Sequence, residues 1–598
     1  MQKVDRTINT IKGKLLKGKV MTLGVSGKDS FCVLHCTIEA LKQAQAINPK
    51  AGPVCMVTTD TTMENPEIHA FMKTIHQEAM NYAEEFGLNL ESHFLRPSLL
   101  TQPLVEYIGR GKLLRTPQNS VNGRDCAVNW KITPMKAFLR ELAERFQTNQ
   151  IISMSGSRDD ESVVRANNLA KRGESIDTVS ITDMGYTLSP IKDFSLNDVW
   201  SLIGAIEDDR IESFGENCAR GLRIHYASAN SGICDIFAGK TAVKASCGAR
   251  FGCWGCSMTK KDKSLTNQIE TDKGKYGYLE PLNDFRNYMF NTLNDMELSR
   301  SLIGRDQKAG GWVKIGYNQY NMAYRQNLLR FALTIDYRHK LFAEENNIEP
   351  KFTLVDYQTL IAIQYCWSKE GGEATAASAF QIFHDVHTQG NLYDIPKTDC
   401  ASLSGYEFSL SEARFLGGDK LAEYRYLKLD DIEHRLCSLD HGRDGLRMDR
   451  AITNKANAPR VMEDDGSITS VVPFTEGKRF SVVDPIAAER FVEDEYLDLV
   501  DLGLHHQDEY ECIDPTEFLK IMLHKGIVSI KKGQIKKLHN DTKRAQFVNA
   551  IVRSGRHFEY VFLAHSISEE AYKATLHQHV KVPNAPQMSL ALEGLLAT

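Results

Sequence analysis

The first 205 residues predict an α/β fold with a doubly wound parallel sheet. Three observations point there. Short apolar runs of strand length alternate with longer amphipathic stretches of helix length. Capping and turn residues fall at the junctions between them. A small, polar, glycine-bearing run sits where the first strand signal gives way to a helix, the place where such sheets seat ligands.

Taken in order, VMTLG (Val20–Gly24) reads as a short buried strand and Ser26–Ser30 as a tight polar turn. FCVLHCTIEALKQA continues with helical period. PVCMVTT (Pro53–Thr59) is a second buried strand. Asn65 then supplies an N-cap and Pro66 a proline at the first helical position, and the helix runs to Phe86 before Gly87 closes it. LNLESHFL is a third strand. Thr133-Pro134 opens the helix MKAFLRELAERF, IISMSG is a strand, and Ser195 with Asp198 caps a helix that carries Val199 and Trp200. Repeated units of this kind bring ligands to the carboxyl ends of the strands, where the 24–30 run and Asp60 both fall.

Beyond this domain (1–205), residues 206–300 form a Cys- and Gly-bearing region expected to bind a cluster. Residues 301–370 are expected to be a helical segment, including YNMAYRQNLLRFALTIDYRHKLF. Residues 371–598 are expected to be a mixed C-terminal domain of unassigned role. A chain of 598 residues exceeds what one core supports. Composition is ordinary for a globular protein, with 42% apolar and 25% charged residues. A net charge of −5 argues against non-specific coating of nucleic acid but is silent on a local basic groove. No apolar run approaches the roughly 20 residues that span a bilayer, and no secretion signal is evident, so a cytoplasmic protein without membrane contact is expected. Thirteen cysteines then indicate reduced thiols, metal ligands or redox chemistry rather than disulfides.

LGVSGKDS fails as a Walker loop, because Asp29 follows Gly27-Lys28 and Thr22 stands where the first glycine belongs. A strand, a polar turn and a helix N-terminus still converge amides and a positive dipole end at one point, which suits an anion. Lys28 adds charge, and Ser26 and Ser30 add hydroxyls. The strongest cysteine signal is SCGARFGCWGC, with Cys247, Cys253 and Cys256. Its single C-x-x-C pair suits an iron–sulfur cluster with one ligand from afar, zinc, or structural thiols; Cys126 and Cys234 are the distant candidates.

The S-G-K-D-S run resembles the PP-loop of ATP pyrophosphatases, whose usual form S-G-G-K-D-S has one more glycine. The fold this implies is that of the adenine nucleotide alpha hydrolase-like proteins. The activity it implies is cleavage of ATP between the α and β phosphates, with adenylation of an oxygen on a second substrate. Arg124, Cys126, Lys131 and Pro134 resemble the R-x-C-x-x-x-x-K-x-x-P segment of PAPS-reductase-like members, which favours Cys126 over Cys234 as a ligand. GSRDDESVVRA (Gly156–Ala166) resembles the G-x-R-x-x-E-S-x-x-R element that faces phosphates, so Arg158 and Arg165 would supply planar contacts. SPIKDFSLNDVW resembles a packing run, with Phe194 in place of its first Trp.

The order of these motifs, followed by KKDKSL and a Y-R-x-x-L-L-R helix (Tyr324–Arg330), resembles the DNA phosphorothioation ATP pyrophosphatases of the DndC and SspD type over roughly residues 10–335. The resemblance implies catalytic Lys28, Asp29 and Arg158. It implies a nucleotide site of Gly24, Ser26, Gly27, Lys28, Asp29, Ser30, Asp60, Gly156, Arg158 and Arg165. It also implies a cluster on Cys126, Cys247, Cys253 and Cys256. ATP, Mg2+ and a [4Fe-4S] cluster would be the cofactors. DNA would be the substrate, a cysteine desulfurase the sulfur donor, and other phosphorothioation proteins the partners. Lys112, Arg115 and Arg124, with Lys244, Arg250, Lys260 and Lys261, would form a phosphate track. A sulfonucleotide reductase is the alternative, disfavoured by the absence of a C-terminal cysteine tail, since the last cysteine is Cys512. A non-catalytic ATP- and cluster-binding component is the third reading. His505-His506, Arg443–Arg450 and the basic run Lys531–Arg544 read more simply as surface, the last with a lesser claim to nucleic acid.

Overall fold

The computed structural model describes residues 2–117, 119–120, 125–182, 185–229, 251–307, 312–400, 425–428, 460–462, 468–470, 483–501, 515–528 and scattered positions between 538 and 574. Cys234, Cys247, Arg124, Lys244, Arg250, His505-His506, Arg443–Arg450 and most of the Lys531–Arg544 run lie outside the described residues.

The first helix, α1 (Gln2–Leu15), buries Val4, Ile8, Ile11 and Leu15. It packs on α2 (Lys28–Ile47), which follows β1 (Met21–Gly24). β2 (Val54–Thr59) is buried along almost its whole length, as a parallel strand covered on both faces must be. β3 (Leu90–Leu95) alternates burial and exposure because it is an edge. Between them, α3 (Pro66–Glu85) begins as its sequence predicts: the Asn65 side chain accepts from the amides of Glu67 and Ile68. β4 (Ile152–Met154), β5 (Ser180–Thr182) and β6 (Gly185–Leu188) complete a sheet of order β3-β2-β1-β4-β6-β5. All its pairings are parallel except β5 with β6.

Alternating side chains divide the sheet between two cores. Met21, Leu23, Val54, Met56, Ile152 and Met154 face α2 and α3, and this core also takes in Cys218, Leu222 and Tyr226 of the helix Glu216–Ser228. The same hydrophobic unit therefore extends past residue 205. Cys55, Val57 and Ile151 face Phe138 and Leu142 of the helix Thr133–Arg145. Helices on both faces make the sheet doubly wound.

A second large core joins Leu104–Leu114, Trp254, the helix Glu280–Asn291 and the helices Met322–Glu345, Tyr357–Glu370 and Ser378–His387. The sequence leads to the expectation of a helical segment over 301–370, but the segment is not wholly helical. β7 (Arg300–Gln307) and β8 (Trp312–Tyr320) form an antiparallel pair before the long helix begins. The reason is legible in retrospect: WVKIGYNQY is rich in β-branched and aromatic residues, and Gly310-Gly311 precedes it as a hairpin signal.

Buried histidines set the acid side of stability. His76 is almost fully buried, with Nε2 3.0 Å from Thr58 Oγ1 and Nδ1 2.7 Å from Ser92 Oγ. Burial lowers its pKa from 6.5 to about 4. His35, His225 and His339 are lowered to about 4 for the same leading reason. Between pH 6.5 and 4 the unfolded chain binds more protons at these sites, so stability falls as pH falls through that window. Asp336 and Glu373, pushed up to about 7 by burial, act in the opposite sense and lose stability as pH rises towards 7. The apparent Tm of His76→Gln should therefore fall less than that of the wild type between pH 6.5 and 4.5. Parallel curves by calorimetry would refute the assignment.

Candidate functional site

β1 lies between β2 and β4, so the strand order reverses there and the loops after β1 and β4 leave the carboxyl edge side by side. The first loop is rooted by Val25 N–H donating to Val57 O at 2.8 Å and by Thr58 Oγ1 donating to Val25 O at 2.7 Å. Ser30 then folds back over it. Its Oγ accepts from the amides of Ser26 (2.8 Å) and Gly27 (3.0 Å) and donates to Gly27 O (2.8 Å). Gly24 ends β1 in an exposed position, and Gly27 caps α2.

The second loop presses directly on the first. A Cβ on Gly156 would stand 2.8 Å from Asp29 C and 2.8 Å from Ser30 N, both backbone atoms. Two residues on, Arg158 is 2% exposed and donates from Nε to Asp29 Oδ1 at 2.7 Å. Arg158 Nη1 reaches Phe194 O at 3.3 Å and Asp160 Oδ2 at 3.4 Å. The other Asp29 oxygen takes Lys28 Nζ at 2.9 Å. One carboxylate thus sits between two cations at a helix N-terminus. Asp160 is a second acidic partner of Arg158, so the side-chain charges balance, and it is the helix N-terminus with its pre-held donors that favours an anion.

Not every predicted nucleotide residue joins this set. Asp60 is buried at the end of β2, but both its oxygens have partners: Oδ2 accepts from Arg96 Nε at 2.7 Å and Oδ1 from Thr62 N at 2.9 Å. Its visible task is to fix the β2–α3 loop, in which Thr62 takes a left-handed φ of 64°. Arg165, in the helix Val163–Lys171, pairs at 2.5 Å with Glu161 in the turn that precedes that helix. Tyr226 was not singled out by any sequence signal, yet it meets the loop directly. Its Oη accepts from Lys28 N at 3.4 Å, and its ring lies 5.1 Å from Lys28 Nζ.

The cysteine segment is tied to the next loop along the sheet. Glu64 and Cys253 form an isolated antiparallel bridge, and Trp254 N donates to Met63 O at 2.8 Å. Cys253 Sγ lies 3.6 Å from Thr61 Oγ1 and 3.9 Å from Glu64 Oε1, and Lys131 Nζ is 3.2 Å from that same carboxylate oxygen. Burial above all, with Glu64 adding, pushes the Cys253 thiol up to about 12. Burial opposes the charge on Lys131, but Glu64 and the thiols of Cys253 and Cys126 outweigh it and raise its pKa. Cys126, Cys253 and Cys256 are half-buried thiols, and Cys126 and Cys253 couple to one lysine. Thiols are the donor type that a thiolate-bound metal or cluster takes, and here Glu64 and Lys131 share the surroundings of Cys253. Arg286, fully buried, fixes the turn from behind by donating to the carbonyls of Cys256 (3.0 Å), Lys260 (2.8 Å) and Thr259.

Two other groupings are explained without a ligand. The ligand atoms of Cys55, Glu91 and His93 lie within 4.8 Å of one another, but Arg145 already donates two bonds, at 2.8 and 2.6 Å, to Glu91. In the Y-R-x-x-L-L-R helix, Tyr324, Arg325, Leu328 and Leu329 are all buried, and Arg325 Nη2 donates to Glu370 Oε2 at 2.6 Å. Of the basic residues proposed as a phosphate track, Lys112 is paired with Glu106 at 2.8 Å and Arg115 donates to Asn119 O, while Lys260 and Lys261 are exposed.

Residues 19–209 match the family model described as the phosphoadenosine phosphosulfate reductase domain. This stretch is therefore PAPS-reductase-like, which is consistent with the PP-loop superfamily. Among solved structures, the chain is similar to a phosphoadenylyl-sulfate (PAPS) reductase from Candida auris in a phosphate complex, with 9% identity and a TM-score of 0.22. That match covers 35% of this chain and 81% of the other. No curated protein matches. Among the described residues, no helix is long and apolar enough to cross a membrane.

Gly156→Ala should displace the start of α2 and lower the affinity of this helix N-terminus for inorganic pyrophosphate, used as a polyanion probe, about tenfold or more, a cost of about 1.4 kcal/mol. Gly13→Ala, where an added Cβ meets nothing within 4 Å, is the control. Titration calorimetry of both variants checks this, and equal affinities would contradict the close contact.

Proposed function

We propose that this chain is an ATP pyrophosphatase that adenylates a DNA backbone phosphate oxygen so that sulfur can replace it. The observation that carries the reading is the Lys28–Asp29–Arg158 set at the N-terminus of α2, with a cysteine segment bonded to the neighbouring loop of the same sheet edge. In this reading ATP, brought with Mg2+, seats its phosphates on the amides at the start of α2. Lys28 and Arg158 stabilise charge developing on the departing pyrophosphate, and Asp29 keeps both cations in place. The α-phosphorus accepts the attacking oxygen and pyrophosphate leaves; sulfide-level sulfur, freed from a cysteine desulfurase's persulfide by a two-electron thiol reductant, then displaces AMP from the DNA phosphorus. Cys126, Cys253 and Cys256, joined by Cys247, would hold a [4Fe-4S] cluster, which supplies redox or sulfur-handling chemistry when bound. Other phosphorothioation proteins complete the system, working in the cytoplasm.

One observation favours a second reading. The matched family model is that of a PAPS reductase domain, and a sulfonucleotide reductase would use the same loop to hold a substrate's phosphates. Product analysis separates the two.

Lys28→Ala should lower AMP and pyrophosphate formation by about 10²-fold or more, a size typical of losing one transition-state electrostatic contact. Wild-type turnover would end the assignment, and ADP as product would mean a different bond is cut. Expressed with a desulfurase and its partner proteins, the wild-type chain should leave phosphorothioate dinucleotides in digested host DNA, detectable by mass spectrometry. The Lys28→Ala and Cys256→Ser variants should not. No such dinucleotides, together with reduction of an adenylyl sulfate by the purified chain, would establish the reductase instead.

Anaerobically purified protein should contain about four iron and four sulfide per chain. Cys126→Ser, Cys247→Ser, Cys253→Ser and Cys256→Ser should each lose them, and Cys36→Ser, on the buried face of α2, should not. Stoichiometric zinc without iron would reject the cluster.

A further inference from the structure

The amides at the start of α2 have different kinds of partner. Those of Ser26 and Gly27 turn inward to Ser30 Oγ, a group of the loop itself. The amide of Lys28 is given to a phenol from another element, Tyr226 Oη at 3.4 Å, on the helix Glu216–Ser228. A Cβ on Gly27 would meet that oxygen at 2.7 Å, so the glycine makes room for it. The ring is 8% exposed and lies 5.1 Å from Lys28 Nζ. Behind it stand two edge-on aromatic neighbours, Trp200 and Phe251, each with its centroid 5.6 Å away. Phe251 is two residues before Cys253 in the sequence.

A phosphate oxygen seated at this helix N-terminus needs the Lys28 N–H, and that N–H makes one strong bond at a time. We infer that the Tyr226 phenol competes with the nucleotide's phosphate for Lys28 N–H, and that its displacement moves Phe251 and so couples phosphate occupancy to the cysteine segment. Tyr226 is a positioning residue in this account: it sets how readily the loop accepts a phosphate and reports the event through packing. The ring is almost fully buried with Lys28, Trp200 and Phe251 all against it, so a shift of the ring to admit a phosphate is felt by its neighbours. The inference rests on the nucleotide reading above and adds a regulatory role at the same site.

Removing the phenol oxygen while keeping the ring isolates the competition. In full-length protein as purified, Tyr226→Phe should bind α,β-methylene-ATP and inorganic pyrophosphate about 2- to 10-fold more tightly than wild type by titration calorimetry, the range for losing one competing neutral hydrogen bond. In the wild type, either ligand should also change the near-ultraviolet circular dichroism, to which Trp200 and Trp254 contribute. Phe251→Leu should diminish that change while leaving affinity within about threefold. Unchanged affinity in Tyr226→Phe overturns the inference. Weaker affinity also overturns it, since the phenol would then be a phosphate ligand rather than a competitor. A spectral change that survives intact in Phe251→Leu overturns the coupling. If the wild type binds neither compound, the nucleotide reading itself fails, a result distinct from the others.

Discussion

A buried guanidinium paired with a carboxylate across two loops is the contact on which the site depends. Arg158 is almost fully enclosed, and a charge so placed is tolerated only with a well-placed partner. Asp29 is that partner, and it belongs to the first turn of α2. The pair therefore ties the loop after β4 to the helix after β1. It forms because β4 is hydrogen-bonded to β1 in parallel register, Met21 opposite Ile152 and Leu23 opposite Met154. Gly156 completes the constraint, since any side chain there would hold the loops apart. The charge network at the start of α2 is thus a consequence of strand order.

The same logic extends sideways along the sheet edge. The β2–α3 loop is fastened at successive residues: Asp60 to Arg96, Met63 to Trp254, Glu64 to Lys131, and Asn65 to Gln268 at 2.8 Å. Glu67, at the start of α3, accepts from Tyr278 at 2.5 Å and pairs with Lys351. Met63 and Trp254 both belong to the second core. A loop that begins at the carboxyl edge of the sheet therefore ends inside the packing of the helical region, and the cysteine segment is anchored to that edge through it.

Much of this was legible in the chain itself. Strands β1 to β4 and the capped helices follow from apolar runs and from Asn65, Pro66, Ser195 and Asp198, because those signals are local, whereas the short strands β5 and β6 carry no apolar run and were not foreseen. Lys28, Asp29, Gly156 and Arg158 were also found, and the structure brings all four into contact. Asp60 and Arg165 were named for the same site, but each is engaged elsewhere, since a motif specifies position along the chain and not the partner a side chain finds. Tyr226, Glu64 and Arg286 were invisible because what they do depends on contacts between segments far apart in sequence. The β7–β8 hairpin was overridden by the long helical pattern that follows it, although its own composition pointed to strands.

The acceptor of the chemistry has to be reasoned from exposed groups, because a shared loop constrains the bond that is cut and not the molecule that is modified. The Y-R-x-x-L-L-R helix is instructive here. Its tyrosine, first arginine and both leucines are buried, with the arginine bound to Glu370 and packed against the chain at Gly111, where a Cβ would meet it at 2.8 Å. Likeness in that run reflects a packing requirement of the second core and carries no information about a substrate. Lys260, Lys261 and Lys263 are different in kind. They are exposed, and the carbonyls of Thr259 and Lys260 are held by a buried arginine that also holds Cys256. Charge presented from a turn fixed in this way loses less freedom on meeting a polyanion than charge on a loose segment would. Because the turn and the thiol share one anchor, whatever those lysines meet is held in a defined relation to Cys256.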